Sequence, residues 1–384
     1  MCYNKDLNMN TVQENEQISL TKSRLASIDA LRGFDMFWII GGGAIFSGLN
    51  EIFGNPLTAF IAGQLDHVEW EGFHFEDLIF PLFLFVVGAV LPFSVLKRIE
   101  QGHSRTSVYL HIIKRTVTLI LLGLILNGLL RFNWQQMRWP GVLQRIGLCY
   151  FFAAILVLNT KWRTQAIVTA AILLLYWAAM ALIPVPGYGP GIITPEGCLS
   201  SYIDQQLLPG KIFEEYYGYG DNEGIISTLP AICTALIGAL AGHWLRSNRS
   251  PNQKSTGLIL TGLLCLVAGY AWGIYFPVIK KIWTSSFVLV SVGYCLLLLA
   301  FFYWVIDVKK YKKWAFFFIV IGLNAITIYV IEWVVNFDVI AGYLVQGPAE
   351  LAGSAKLLIL ALGALMLKWL LLWFLHRQKI FLKA

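Results

Sequence analysis

Charge is scarce in this sequence. Lysine, arginine, aspartate and glutamate make up 13% of the chain against 57% hydrophobic residues, and the mean hydropathy is +0.65. A soluble domain carries about a quarter charged residues. The shortfall excludes an ordinary water-soluble fold and indicates a chain threaded repeatedly through a membrane. Disulfide and metal frameworks are missing too. The six cysteines show no CxxC spacing; Cys149, Cys233, Cys265 and Cys295 sit in apolar runs as packing residues, and Cys198 stands alone in a loop. The tail from Met1 to about Ser23 has no apolar core, so it does not read as a signal peptide. No internal repeat is evident, which weighs against an inverted-repeat transporter. The net charge of +7 does not point to nucleic acid, because the basic residues lie in short loops between apolar runs.

What is present is a series of apolar runs, each long enough to cross a bilayer as a helix. Ten lie near 31–49, 75–96, 108–130, 141–159, 164–183, 225–245, 256–276, 284–306, 314–335 and 355–376. The expected fold is all-α, a polytopic membrane protein with about ten transmembrane helices in one bundle. Lys22 and Arg24, Lys97, Arg98 and Arg105, Lys161 and Arg163, Arg246, Arg249 and Lys254, Lys309 to Lys313, and Arg377 to Lys383 mark alternate connections. The positive-inside rule places that set in the cytoplasm with both termini. Residues 1–26 then form a cytoplasmic polar tail and 27–384 the membrane domain. A long outer loop covers about 184–223, with turn chemistry in Pro186-Gly187-Tyr188-Gly189-Pro190-Gly191. Lys280 and Lys281 break this pattern mildly.

The most polar stretch beside the apolar runs is Gln64 to Pro81. It holds His67 and His74, the acids Asp66, Glu69, Glu71, Glu76 and Asp77, and Trp70 as an interfacial anchor. A titratable imidazole among carboxylates at the mouth of a bundle suits proton transfer; a plain interfacial histidine is the bland account. His67, Glu71 and His74 fall at i, i+4 and i+7, a metal face if the stretch is helical, but Gly72 interrupts it and no other ligand cluster is evident. No metal is expected. Arg32 and Asp35 sit near the start of the first run, where a structural salt bridge between helices is the bland account; the functional one sets Arg32 with Lys114 and Arg115 as cations facing an anionic group, and Lys114 and Arg115 can also simply snorkel. Arg145 follows Trp139-Pro140-Gly141 by about one turn and needs a partner, for which Asp77, Glu223 and Glu332 are candidates. Asn324 lies mid-run, where a helix–helix hydrogen bond explains it as well as a ligand does.

At these residues the chain resembles the heparan-α-glucosaminide N-acetyltransferase family, most closely its bacterial branch. Four blocks carry the resemblance: Ser27-Ile28-Asp29-Ala30-Leu31-Arg32-Gly33; His67-x-x-Trp70-x-Gly72 with Asp77-Leu78-Ile79-Phe80-Pro81; Pro140 through Gly147; and Glu223-Gly224-Ile225 with Gly322-Leu323-Asn324. Gly41-Gly42-Gly43 stands where the animal enzymes have an active-site asparagine. The resemblance implies a multi-pass acyltransferase of the bacterial inner membrane. It would move an acetyl group from cytoplasmic acetyl-CoA to an amino sugar or related glycan on the periplasmic side, with membrane lipid around it and a homodimer left open. In that scheme His67 is the catalytic histidine, supported by Glu69, Glu71 or Asp77. Arg32, Lys114, Arg115 and Asn324 meet the donor; Gln144, Arg145, Glu223 and Glu332 meet the acceptor. Two other readings stay open. One is a transporter using Asp35, Arg145 and Glu332 as a relay and His67 as a proton site; the other is a polymer O-acyltransferase.

Overall fold

The computed structural model describes residues 25–381 except 214, 215 and 217; the tail expected over 1–26 lies almost wholly outside the described residues, as do Lys22, Arg24 and Lys383. The described chain is helical, with isolated bridges Arg138–Gly210 and Val185–Gly189 in place of a sheet. In order the helices are α1 Ala26–Phe53, α2 Pro56–Gln64, α3 Glu76–Glu100, α4 Arg105–Leu126, α5 Val142–Asn159, α6 Trp162–Leu182, α7 Leu199–Leu207, α8 Thr228–Arg246, α9 Pro251–Gly273, α10 Ser285–Val308, α11 Phe316–Leu323, α12 Ala325–Glu332, α13 Phe337–Leu351 and α14 Gly353–Arg377. Among the described residues nine are long and apolar enough to cross a membrane, and a tenth if α12 and α13 form one bent span. The protein is a multi-pass membrane protein.

Small residues bring the central helices together. A Cβ on Gly88 of α3 would stand 1.8 Å from the Ala235 carbonyl oxygen, and one on Gly238 of α8 would stand 2.0 Å from that of Phe85. Backbones approach this closely only where side chains are absent, the usual device for helix pairs in lipid. Gly33 and Gly322 do the same for α1 and α11, at 1.7 Å from Phe318 O and 2.1 Å from Asp29 O. The periphery is apolar outward: α9 exposes Leu260, Leu263, Leu264 and Val267, as a lipid-facing helix should.

Two departures from the sequence expectation shape the interior. The span expected over 314–335 is not one helix. It breaks at Asn324 (φ −125°, ψ 34°), and the chain turns by 79° between α12 and α13. Asn324 is buried and its amide donates to the Ile380 carbonyl at 3.1 Å, so protein groups replace the missing ladder. The first span widens into a π-turn at Trp38–Gly42, where Gly41 takes φ +106°. That conformation is open to glycine and costly for other residues. The turn frees the Ile40 carbonyl, which accepts from Lys368 Nζ at 2.8 Å, and Lys368 also pairs with Glu332 at 2.6 Å.

Candidate active site

The polar stretch after α2 is not a helix. Leu65–Phe75 runs irregularly, so the i, i+4, i+7 argument for a metal face has no helix to rest on. Among the described residues no group of three His, Cys, Asp or Glu side chains could hold a metal ion. The loop is pinned from several sides. Gly72 N–H donates to Val278 O at 2.9 Å, Trp70 Nε1 to Ile193 O at 2.8 Å, and Phe75 N–H to Gln64 Oε1 at 3.3 Å. At Gly72 φ is +130°, which lets the chain double back toward α3.

Asp77, at the start of α3, gathers this loop. Its Oδ2 accepts from the backbone N–H of His74 (3.0 Å) and Val68 (3.4 Å), while Oδ1 lies 3.1 Å from His67 Nδ1 and 3.4 Å from Lys280 Nζ. The Asp77 carboxylate is buried, with 2% of its side chain exposed, whereas the His67 ring is 55% exposed. A buried carboxylate acting on Nδ1–H fixes the ring's orientation and leaves Nε2 with its lone pair free. Lys280 Nζ also lies 3.2 Å from His67 Nδ1. Burial pulls its ammonium below the ordinary lysine range, and the charges of Asp77 and Glu76 oppose that shift. The carboxylate on His67 is therefore Asp77. Glu69 and Glu71 are exposed on the same irregular loop, and among the described residues neither bonds to the ring.

His67 stands on the rim of a cavity of about 330 Å³ between α1, α3, α5 and α12. Met36, Ile39, Ile79, Phe83, Ile146 and Ile326 line its apolar part; His67, Glu76, Arg138, Asn222, Glu223 and Lys280 line its polar part, with Tyr329, Trp38 and Trp283 between. Opposite His67, Arg138 makes two hydrogen bonds to Asp221 (2.7 and 2.6 Å), pairs with Glu223, and lies 3.7 Å over the Phe213 ring. These two carboxylates push the guanidinium pKa upward against the cost of burial. Behind them Asp204 accepts from the N–H groups of Ile225 (2.9 Å) and Asp221 (3.3 Å), and burial raises its pKa to about 6.

The other expected site residues lie elsewhere. Arg145 is buried, donating to Ser227 Oγ (2.6 Å) and the Gly224 carbonyl (3.3 Å) behind the face of Trp283, and among the described residues its Nε and Nη1 have no partner. None of its three candidate carboxylates reaches it: Asp77 holds His67 and Lys280, Glu223 holds Arg138, and Glu332 holds Lys368. Gln144 donates to the Trp139 carbonyl at 3.1 Å. Both residues support the cavity wall from behind. Arg32 bonds Asp29 on its own helix (2.8 Å) and donates to the Gly322 carbonyl (2.6 Å), which joins α1 to α11. Asp35 is fully buried, and among the described residues both its carboxyl oxygens lack a partner. Arg115 stacks 4.5 Å over Tyr150, and Lys114 is exposed on α4. Arg32 is not brought together with them, because its guanidinium is held between α1 and α11.

Sequence reasoning missed Lys280 and Glu76 as site residues. The signal for Lys280 was its breach of the loop-charge pattern: a cation stranded among the acid-rich connections. Glu76 stood beside Asp77 in plain view, but nothing in the sequence distinguished which of five acids enters a cavity.

A family described as a domain of unknown function, DUF5009, matches residues 24–189. Over 82% of its length the chain is 25% identical to the human heparan-α-glucosaminide N-acetyltransferase, and over 80% it is 24% identical to the mouse protein of that name. The chain spans about half the length of these relatives, 53% in each case. The resemblance read from the four sequence blocks is thus found again across most of the chain.

Proposed function

We propose that this membrane protein is an acyltransferase that moves an acetyl group from acetyl-CoA to an amino sugar. The observation that carries the reading is the His67–Asp77 contact of 3.1 Å on the rim of a part-apolar cavity, and the similarity to N-acetyltransferases supports it. His67 Nε2 takes one proton from the acceptor ammonium, because an ammonium has no lone pair with which to attack. The free amine adds to the thioester carbonyl, the C–N bond forms and the C–S bond breaks. The departing thiolate takes the proton from the imidazolium, and the second surplus proton on nitrogen leaves to water. Asp77 orients the ring and stabilises its charged form, as the third member of a triad does. The loop charges support an arrangement with the His67 end in the periplasm of a bacterial inner membrane and both termini in the cytoplasm. Acetyl-CoA then reaches in from the cytoplasmic side, with Lys114 and Arg115 as the cations available to its phosphates.

Purified protein supplied with acetyl-CoA and glucosamine tests the proposal by release of free thiol. The expected result is thiol release that depends on the amine and is matched by N-acetylglucosamine. Absence of thiol release with every amine offered overturns the reading. Thiol release with a hydroxyl acceptor alone would instead make it an O-acyltransferase.

A further inference from the structure

The charges around the cavity are unevenly paired. Glu223 is engaged by Arg138, and Asp77 by His67 and Lys280. Glu76 lines the same cavity as His67, yet among the described residues it makes no side-chain hydrogen bond or ion pair. It lies within the electrostatic field of Lys280 and His67 but is bonded to neither. Asp35, near Glu76, is buried, and among the described residues both its carboxyl oxygens lack a partner. A part-buried carboxylate is costly at the edge of a membrane span, and Lys280 and His67 offset it only through space, without a bond. On the His67 side the cavity is therefore lined by a carboxylate that no bond engages. Trp38, Tyr329 and Phe80 line the cavity too, and aromatic faces favour a cation further.

Resting on the acyl-transfer reading, we infer that Glu76 receives the acceptor's ammonium group and makes the site selective for cationic, amine-bearing acceptors. Held there, the nitrogen stands beside the imidazole that must deprotonate it. A neutral polyol fills the same volume but leaves Glu76 unpaired, so the carboxylate rejects hydroxyl acceptors by the charge it leaves uncompensated.

The test compares wild type with Glu76→Gln and Glu76→Asp, using glucosamine and glucose as probes. In Glu76→Gln the KM for glucosamine should rise about tenfold to a hundredfold, the worth of one charge-assisted contact, while the KM for acetyl-CoA stays within about twofold. Glu76→Asp should recover part of the loss, because charge and not shape is required. Glucosamine should raise the melting temperature of wild type and not of Glu76→Gln, and glucose should raise neither. An unchanged glucosamine KM in a Glu76→Gln protein that still melts higher with acetyl-CoA overturns the role of Glu76 and leaves the acyltransferase reading standing. A wild-type protein that turns acetyl-CoA over many times with no amine, and no faster when glucosamine is added, removes both. If Glu76→Gln fails to fold, Glu76→Asp and the wild-type melting shifts decide the matter: equal shifts by glucosamine and glucose overturn the inference.

Discussion

Two charged clusters line one cavity, and they differ in how completely their carboxylates are bonded. In the Arg138 cluster each carboxylate has a bonded partner: Arg138 joins Asp221 and Glu223, and Asp204 buttresses their loop by accepting from backbone N–H groups. In the His67 cluster Asp77 is fully engaged, but Nε2 of the ring and the Glu76 carboxylate are left open toward the cavity. Buried charge is tolerated when it is paired, and leaving it unpaired lowers stability. The difference teaches which cluster is framework and which is site. Breaking the first should cost folding; breaking the second should cost turnover and leave folding nearly unchanged.

The largest effect is expected on the open side. His67→Ala should lose roughly 10²–10⁴-fold in turnover, the usual contribution of a positioned base. Its melting temperature should stay close to wild type, since the ring is half exposed and packs no core. Acetyl-CoA labelled in the acetyl group, given without acceptor, adds a mechanistic check: label held covalently on His67 would replace direct transfer by a two-step route. Asp77→Asn keeps the shape but weakens the hold on the Nδ1 tautomer, and roughly a hundredfold loss in turnover is expected. Full activity in either variant would erase the contrast between the clusters.

The paired side should answer in stability. Arg138→Ala strands Asp221 and Glu223, and a broken buried pair costs about 3–5 kcal/mol. The Arg138 side chain is 24% exposed, so solvent screening reduces the expectation to about 2–3 kcal/mol, read as a fall in melting temperature. A variant that melts like wild type would mean that the cluster is not framework. Asp204 adds a pH dependence. Its carboxyl is raised from 3.8 to about 6 in the fold, so the folded state holds this proton more tightly than the unfolded chain. The stability it contributes is complete below pH 3.8 and is lost as pH rises through about 6, by on the order of 2–3 kcal/mol. Asp204→Asn should flatten that part of the melting-temperature profile between pH 4 and 7; an unchanged slope would assign it to another group.

The spans were legible because apolar runs of about twenty residues admit few alternatives in a chain this poor in charge. The pairing of the charges was not. Asp77 was among the candidates for His67 because it shares a short block with it, but Lys280 comes from 213 positions away, and only its misplaced charge hinted at a role. Arg145 illustrates the limit differently. Its need for a partner was plain from its depth, yet the fold meets it with a serine, a carbonyl and the face of Trp283. Neutral groups of that kind leave no trace in a sequence. The break at Asn324 was hidden for a related reason: one amide in an apolar run reads the same whether it joins two helices or ends one.

The smallest expected effect is the sharpest test of which carboxylate serves His67. Proximity in sequence favoured Glu69 and Glu71, two and four residues from the imidazole. Both are exposed on the irregular loop Leu65–Phe75, and the distant Asp77 takes the contact at 3.1 Å. An exposed carboxylate with no fixed partner acts on the ring only through screened, long-range charge, which falls off over about 10 Å at ordinary salt. Glu69→Gln and Glu71→Gln should therefore leave turnover within about twofold of wild type, and any residual effect should fade as salt is raised. The same measurement on Asp77→Asn should show a large loss that salt does not relieve, because that contact is buried. A salt-independent loss of tenfold or more in Glu69→Gln or Glu71→Gln would show that the loop closes over the ring during the reaction and brings a second carboxylate to it. The open cluster would then be one that completes its pairing only with substrate bound.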